Sequence, residues 1–266
     1  MNRLEPIVAA AREEVARRRE LVTRAKLEEG SARRAANDPV RDFTDALARP
    51  GLSLIAEHKR RSPSAGLIRE DRSLEDVVGA YERGGAAALS ILTEGPSFGG
   101  SLDDLRAARA AAGLPLLRKD FIVDSYQVQE SFAAGADAIL LIVAALRAGE
   151  LAALHSEALS LGLSALVEVH DERELDVALN LGRAATSPLV IGINNRDLKT
   201  LEVDTARTFD LLPRVGGAGL VVSESGFSRP DQLDRLAEAG VDGVLIGEAL
   251  MRTPDVEAAC RELAVR

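Results

Sequence analysis

From residue 52 onward the chain alternates between short unbroken apolar runs and longer stretches whose apolar residues recur every three or four positions. The runs at 52–57, 88–92, 114–118, 138–142, 165–169, 189–193, 220–223 and 243–246 are dominated by Leu, Ile and Val. Unbroken apolarity, without polar alternation, marks parallel strands covered on both faces. The intervening stretches, such as 73–83, 102–111, 125–133 and 230–239, carry the helical period. Ser73 ahead of Asp76 and Ser101 ahead of Asp104 have N-cap spacing, while Gly84-Gly85, Gly113, Gly135, Gly162, Gly182 and Gly240 stand as stops. Gly135-Ala136-Asp137 and Gly240-Val241-Asp242 form a weak internal repeat. Eight β–α units in about 215 residues predict an α/β fold, a single (β/α)8 TIM barrel. A doubly wound sheet is the alternative, but no nucleotide-type glycine loop follows the first strand.

Residues 1–50 form no such unit. A charged helical stretch runs from Glu13 to Glu29, and Asp38-Pro39 and Arg49-Pro50 mark breaks before the first strand. The expected organisation is an N-terminal helical extension, 1–50, packed on one end of a catalytic barrel, 51–266. Arg17-Arg18-Arg19 is interleaved with Glu13, Glu14 and Glu20, which makes it a solvated helix face rather than a nucleic-acid patch.

Composition narrows the class. The net charge of −9 argues against nucleic acid as a partner. A single cysteine, Cys260, allows no internal disulfide and fits a reducing compartment. No apolar run reaches the roughly 18 residues of a membrane span, and the N-terminus lacks a signal-type apolar core. A cytoplasmic monomer is expected, with no membrane and no nucleic acid among its partners.

Only four of the 33 basic residues are lysines: Lys26, Lys59, Lys119 and Lys199. Lysine differs from arginine in that its ammonium can exchange a proton. Two of the four fall at strand ends, where barrels of this kind carry their chemistry. The first strand ends Glu57-His58-Lys59, the third Arg118-Lys119-Asp120-Phe121, the fifth Glu168-Val169-His170, and the sixth Asn194-Asn195-Arg196-Asp197. The seventh ends Ser223-Glu224-Ser225-Gly226 and the eighth Gly247-Glu248. Strand alternation puts Glu57 and Lys59 on one face and His58 on the other, against the helix layer. His155, within a helical pattern, is expected to be exposed, and His170 to serve a loop or helix start. No histidines and carboxylates have metal-ligand spacing, so no metal is expected. Glycines after strands seven and eight let backbone N–H groups approach an anion, which suggests phosphate there.

Taken together, these residues resemble the indole-3-glycerol phosphate synthase family. The matching segments are Ile55-Ala56-Glu57-His58-Lys59-Arg60-Arg61-Ser62-Pro63-Ser64, Ser90-Ile91-Leu92-Thr93-Glu94 with Phe98-Gly99-Gly100-Ser101-Leu102, and Leu117-Arg118-Lys119-Asp120-Phe121-Ile122. They continue with Leu166-Val167-Glu168-Val169-His170, Ile191-Gly192-Ile193-Asn194-Asn195-Arg196-Asp197-Leu198, Val222-Ser223-Glu224-Ser225-Gly226 and Leu245-Ile246-Gly247-Glu248-Ala249-Leu250-Met251. They occur in family order across essentially the whole barrel, and a helical N-terminal extension is also a family feature.

The resemblance implies ring closure of 1-(2-carboxyphenylamino)-1-deoxyribulose 5-phosphate, with loss of CO2 and water and without a cofactor. It implies Lys119 as general acid, Glu168 as general base, and Lys59 as a substrate ligand that shares in proton transfer. Glu57, Asn194 and Glu224 would orient the reacting groups, with Ser62, Arg196 and Ser225 in the polar shell. Phe121 would lie on the aromatic ring, and Gly226 and Gly247, beside Leu245 and Glu248, would hold the phosphate. His58 and Glu248 depart from the residues common in relatives. A phosphoribosylanthranilate isomerase would place a cysteine at the first strand's end, and a non-catalytic copy would have lost Lys59, Lys119 or Glu168. Another phosphate-binding barrel enzyme, such as that isomerase, and a non-catalytic barrel remain as the two rival readings.

Overall fold

The computed structural model describes residues 4–182 and 188–264. Three helices come first: α1 (Leu4–Leu21), α2 (Arg24–Asn37) and α3 (Phe43–Leu47). The charged stretch expected to run unbroken is therefore two helices. Thr23 separates them, its side chain capping α2 by accepting from the Lys26 N–H.

The repeating units follow: β1 (Ser53–His58), a two-residue hairpin of β2 (Arg61–Ser62) and β3 (Gly66–Leu67), then α4 (Leu74–Arg83). Next are β4 (Ala88–Leu92), α5 (Leu102–Ala111), β5 (Leu116–Lys119), α6 (Ser125–Ala134), β6 (Ala138–Ile142) and α7 (Ala148–Ser160). The chain continues through β7 (Ser164–Val169), α8 (Glu172–Gly182), β8 (Leu189–Asn194), α9 (Ala206–Val215), β9 (Gly219–Glu224) and α10 (Pro230–Ala239). It ends with β10 (Gly243–Ile246), a single turn α11 (Glu248–Met251), and α12 (Val256–Ala264). Ser73 and Ser101 cap α4 and α5 as their spacing predicts, accepting from the Asp76 and Asp104 N–H groups.

Eight parallel strands close into a barrel in the order β1-β10-β9-β8-β7-β6-β5-β4. Each expected strand is present within two residues of its expected ends. The largest shift is at β5, which starts at Leu116 although the apolar run begins at Leu114, because Pro115 has no N–H to give the ladder. The strands also run further at their C-terminal ends, so that Lys119, Asn194 and Glu224 belong to them.

Alternation along the strands makes two apolar layers. Ile55, Leu117, Leu140, Leu166, Val190 and Val222 fill the barrel. Leu54, Leu89, Leu116, Ile139, Val167 and Ile191 face the helices. The N-terminal segment does not sit at one end. Leu4 and Ile7 of α1 reach the cavity at the C-terminal ends of the strands, whereas Phe43 and Leu47 of α3 join the cluster that fills the barrel. Between them, Arg34 of α2 is buried against Asp137, which immediately precedes β6, with Nη2 2.8 Å from Oδ1.

Candidate active site

A cavity of about 460 Å3 opens at the C-terminal ends of the strands. All fourteen residues expected from the sequence to form the site line it: Glu57, Lys59, Ser62, Lys119, Phe121, Glu168, Asn194, Arg196, Glu224, Ser225, Gly226, Leu245, Gly247 and Glu248. Nothing but the closed strand order brings residues so far apart in sequence together.

At its centre is a three-membered ion cluster. Lys119 Nζ donates to Glu168 Oε2 at 2.9 Å and to Glu224 Oε2 at 2.7 Å. Lys119 ends β5 and Glu224 ends β9, strands that face each other across the barrel, so the contact spans the mouth. Burial alone would weaken the hold of Lys119 on its proton, but the two carboxylates outweigh it and keep the ammonium above its ordinary range. Burial likewise works against an ionised Glu168, yet Lys119 and His170 hold it below the usual carboxylate range. Glu224 goes the other way: burial pushes it up to about 7 in spite of Lys119. Its second oxygen, Oε1, is buried without a hydrogen-bond partner.

A second ion pair joins Lys59 Nζ to Glu57 Oε1 at 2.7 Å. The Glu57 backbone carbonyl accepts from the buried Tyr81 hydroxyl, which fixes the strand end from behind. Two glycines leave room for these carboxylates. A Cβ on Gly192 would collide with Glu224 Oε1, and one on Gly247 would lie 2.5 Å from Glu57 Oε1. Gly247 is thus needed at least as much for Glu57 as for any approach of an anion.

Opposite walls differ in chemistry. Phe121, from the loop after β5, and Leu140 and Ile142, from β6, form an apolar wall with Leu4, Ile7 and Phe98. Across the mouth, the loops after β9 and β10 present Ser225, Gly226, Gly247 and Glu248. Ser225 is held at φ +66°, a left-handed conformation that L residues rarely adopt. Its carbonyl accepts from Asn195 Nδ2 at 3.0 Å, and its hydroxyl donates to Asn194 Oδ1 at 2.9 Å. Glu248 turns along its own helical turn to Arg252, whose Nε lies 2.9 Å from Oε1.

Sequence reasoning missed several contributors. Arg252 lines the cavity, and its signal is the four-residue spacing from Glu248. Leu4 and Ile7 carried no signal, because nothing local to α1 states what it covers. Arg118 points away from the mouth into the helix layer, fully buried between Asp120 (2.7 Å) and Glu130 (3.0 Å). Glu130 also pairs with Arg18 of α1 at 2.8 Å, so the strand that carries Lys119 is tied to α1.

The three histidines separate cleanly. His58 faces the helix layer as expected, and burial lowers its pKa to about 4, leaving it neutral. His155, expected to be exposed, is buried: it shares one face of α7 with Leu151, Leu154 and Ala158. His170 does hold a helix start, its N–H and Nδ1 meeting Glu174 Oε2 at 2.8 and 2.9 Å. It also brings Nε2 to 3.3 Å from Glu168 Oε1. Among the described residues no cluster of His, Cys, Asp and Glu is arranged to hold a metal, and no helix is long and apolar enough to cross a membrane.

Residues 4–263 match the model of the indole-3-glycerol phosphate synthase family. The chain is 50% identical over 252 residues to indole-3-glycerol phosphate synthase 2 of Streptomyces coelicolor, covering 95% of each chain. It is 47% identical over 263 residues to indole-3-glycerol phosphate synthase of a Nocardioides species, covering 99% of this chain and 98% of that one. Among solved structures, 3-hexulose-6-phosphate synthase from Salmonella typhimurium shares the fold alone, with TM-score 0.59 and 14% identity over 80% of this chain and 97% of that one. This chain therefore belongs to the indole-3-glycerol phosphate synthase family.

Proposed function

We propose that the chain closes the indole ring of 1-(2-carboxyphenylamino)-1-deoxyribulose 5-phosphate between Lys119 and Glu168, releasing CO2 and water. The observation that carries this reading is the Lys119 ammonium held between Glu168 and Glu224, with an apolar wall on one side and glycine loops on the other. The anthranilate ring lies against Phe121 and Leu140, and the phosphate lies on the loops of Ser225–Gly226 and Gly247. A substrate in that pose crosses the middle of the mouth, and its ketone falls beside Lys119.

Lys119 starts as an ammonium and Glu168 as a carboxylate, the protonation states that a general acid and a general base require. The substrate must separate them. Lys119 turns to the ketone oxygen as the ring carbon attacks, the carboxylate leaves as CO2, and Glu168 takes a proton from the new ring as the hydroxyl, given a second proton by Lys59, departs as water. Lys59 holds the substrate and shares in proton transfer; Glu57, Asn194 and Glu224 orient it, with Ser62 and Arg196 completing the polar wall. Glu224 Oε1 is a ready acceptor for a substrate hydroxyl. The substrate carries its own electrophile and its own leaving carboxylate, so the sequence of steps is written without a cofactor.

The test is product formation followed by indole fluorescence. Lys119→Met should lose about 100- to 10,000-fold in turnover, the usual worth of a positioned general acid, and keep its fold. Glu168→Gln should stop dehydration in the same range. Activity of Lys119→Met within about threefold of the parent would reassign the acid.

A further inference from the structure

Two buried carboxylates flank Lys119, and the reaction proposed above uses only one of them as a base. Glu168 and Glu224 are each 1% exposed, and each holds one oxygen on the same ammonium, at 2.9 and 2.7 Å. In burial and in their shared partner they are alike. They differ in the second oxygen. Glu224 Oε1 is buried without a hydrogen-bond partner, whereas Glu168 Oε1 lies 3.3 Å from His170 Nε2.

The His170 ring is held from behind. Its Nδ1 lies 2.9 Å from Glu174 Oε2, and the same oxygen accepts the His170 backbone N–H at 2.8 Å. Glu174 is fixed in turn, because its own N–H donates to Asp171 Oδ1. A helix start requires only those contacts. Nε2 is left over: it is buried, forms no hydrogen bond among the described residues, and faces the Glu168 carboxylate. Glu168 and Glu174 together outweigh burial and raise the His170 pKa to about 10, so the ring is an imidazolium at neutral pH.

We propose that His170 is the positioning residue that makes Glu168, rather than Glu224, the base: its fixed cation keeps the Glu168 carboxylate ionised while Lys119 is turned to the substrate. Once Lys119 reaches for the ketone oxygen, both carboxylates lose the cation they share. A buried carboxylate left without one takes up a proton. Glu224 is pushed up to about 7 even beside Lys119, and nothing replaces that ammonium. Glu168 still has His170. The cation makes Glu168 a weaker base, but only an ionised carboxylate can take the ring proton at all. His170 keeps both of its ring protons throughout and gives none to Glu168. The charged groups facing Glu168 are Lys119 from β5, Glu224 from β9 and His170 itself, and Lys59 is already paired with Glu57. Its neighbours in the barrel are Ile142 on β6 and Gly192 on β8. Behind β7, α8 brings Glu174 to the ring, and α7 turns Leu151, Leu154, His155 and Ala158 inward, where burial lowers the His155 pKa.

This role rests on the assignment of Glu168 as the base, and the experiment separates the two. His170→Gln keeps an amide donor of similar reach and removes the charge. With saturating substrate, its kcat should fall at least about tenfold at pH 6, with KM within about threefold of the parent. The deficit should close to within about threefold by pH 9, because a Glu168 that has lost its cation is ionised again at higher pH. The acid limb of the kcat profile thus moves up by at least about one pH unit, tenfold for a single proton. His170→Asn gives the same reading where glutamine is not tolerated. An acid limb within about 0.3 unit of the parent's, or a deficit equal at every pH, would make His170 a spacer and overturn the proposal. In either event an inactive Glu168→Gln leaves the base assignment standing. Glu168→Gln with turnover within about threefold of the parent overturns that assignment itself, and this role with it.

Discussion

Glu248 puts a carboxylate on the rim where the proposed phosphate would sit. Two like unit charges 4 Å apart repel by about 1 kcal/mol in bulk water, and by more where water is excluded. Its pairing with Arg252 removes much of that repulsion, but it also occupies a guanidinium that lines the same cavity. Glu248→Ser should release Arg252 and lower KM by up to about threefold at low salt. The gain should fade as ionic strength rises and screening shortens the reach of both charges. A raised KM in initial-rate measurements would instead give the Glu248 side chain a direct part in holding substrate. Strand alternation told Glu57 and His58 apart from the sequence alone, because a period of two leaves no third choice. His170 was harder to read: its contact with Glu168 depends on how α8 begins, which strand periodicity does not describe.

Among the elements, α2 bears a buried charge whose purpose is mechanical. Arg34 donates to the Phe132 and Ala136 carbonyls and to Asp137 Oδ1, and its guanidinium lies 4.6 Å from the Phe132 ring centroid. Asp137 is fully buried and is paired with Arg109 as well. Arg34→Met keeps the volume but strips one cation and leaves two carbonyls short of a donor. It should cost about 2–3 kcal/mol, less than the 3–5 typical when a buried charge loses its only partner. In a chain of this length that is about 5–10 °C in Tm by calorimetry, and an unchanged Tm would show that Arg109 alone suffices. The strands were legible because buried parallel strands need unbroken Leu, Ile and Val, as in Ala88–Leu92. The hairpin of β2 and β3 was not, since Arg61-Ser62 and Gly66-Leu67 carry no apolar period and owe their pairing to the loop between them. Nor was the reach of α1, whose Leu4 and Ile7 look like any apolar residues on an amphipathic helix.

For the molecule as a whole, the mouth makes stability depend on pH in both directions. The contribution of His170 is fully present below about 6.5, its unfolded value, and is lost as pH rises through about 10. Glu168, held below its unfolded value, contributes above about 4.3 and loses that contribution as pH falls. Glu224 works against the plateau, because its raised pKa makes the folded state favour a proton up to about 7. Tm measured across pH should therefore fall between about 7 and 10, and His170→Gln should flatten that limb. An alkaline limb as steep in His170→Gln as in the parent would place its origin elsewhere.

The scarcity of lysine has a practical side. Lys59 and Lys119 are 17% and 13% exposed and tied to carboxylates, whereas Lys26 and Lys199 stand open to solvent. Acylating reagents attack only an uncharged amine they can reach, and the Lys119 ammonium keeps its proton. Amine-directed dyes or surface linkers would thus attach at Lys26, on α2, and at Lys199, in the loop after β8 between Leu198 and Leu201 of the cavity wall. A linker meant to leave the mouth unblocked therefore belongs at Lys26, which does not line the cavity, with Lys199 replaced by arginine.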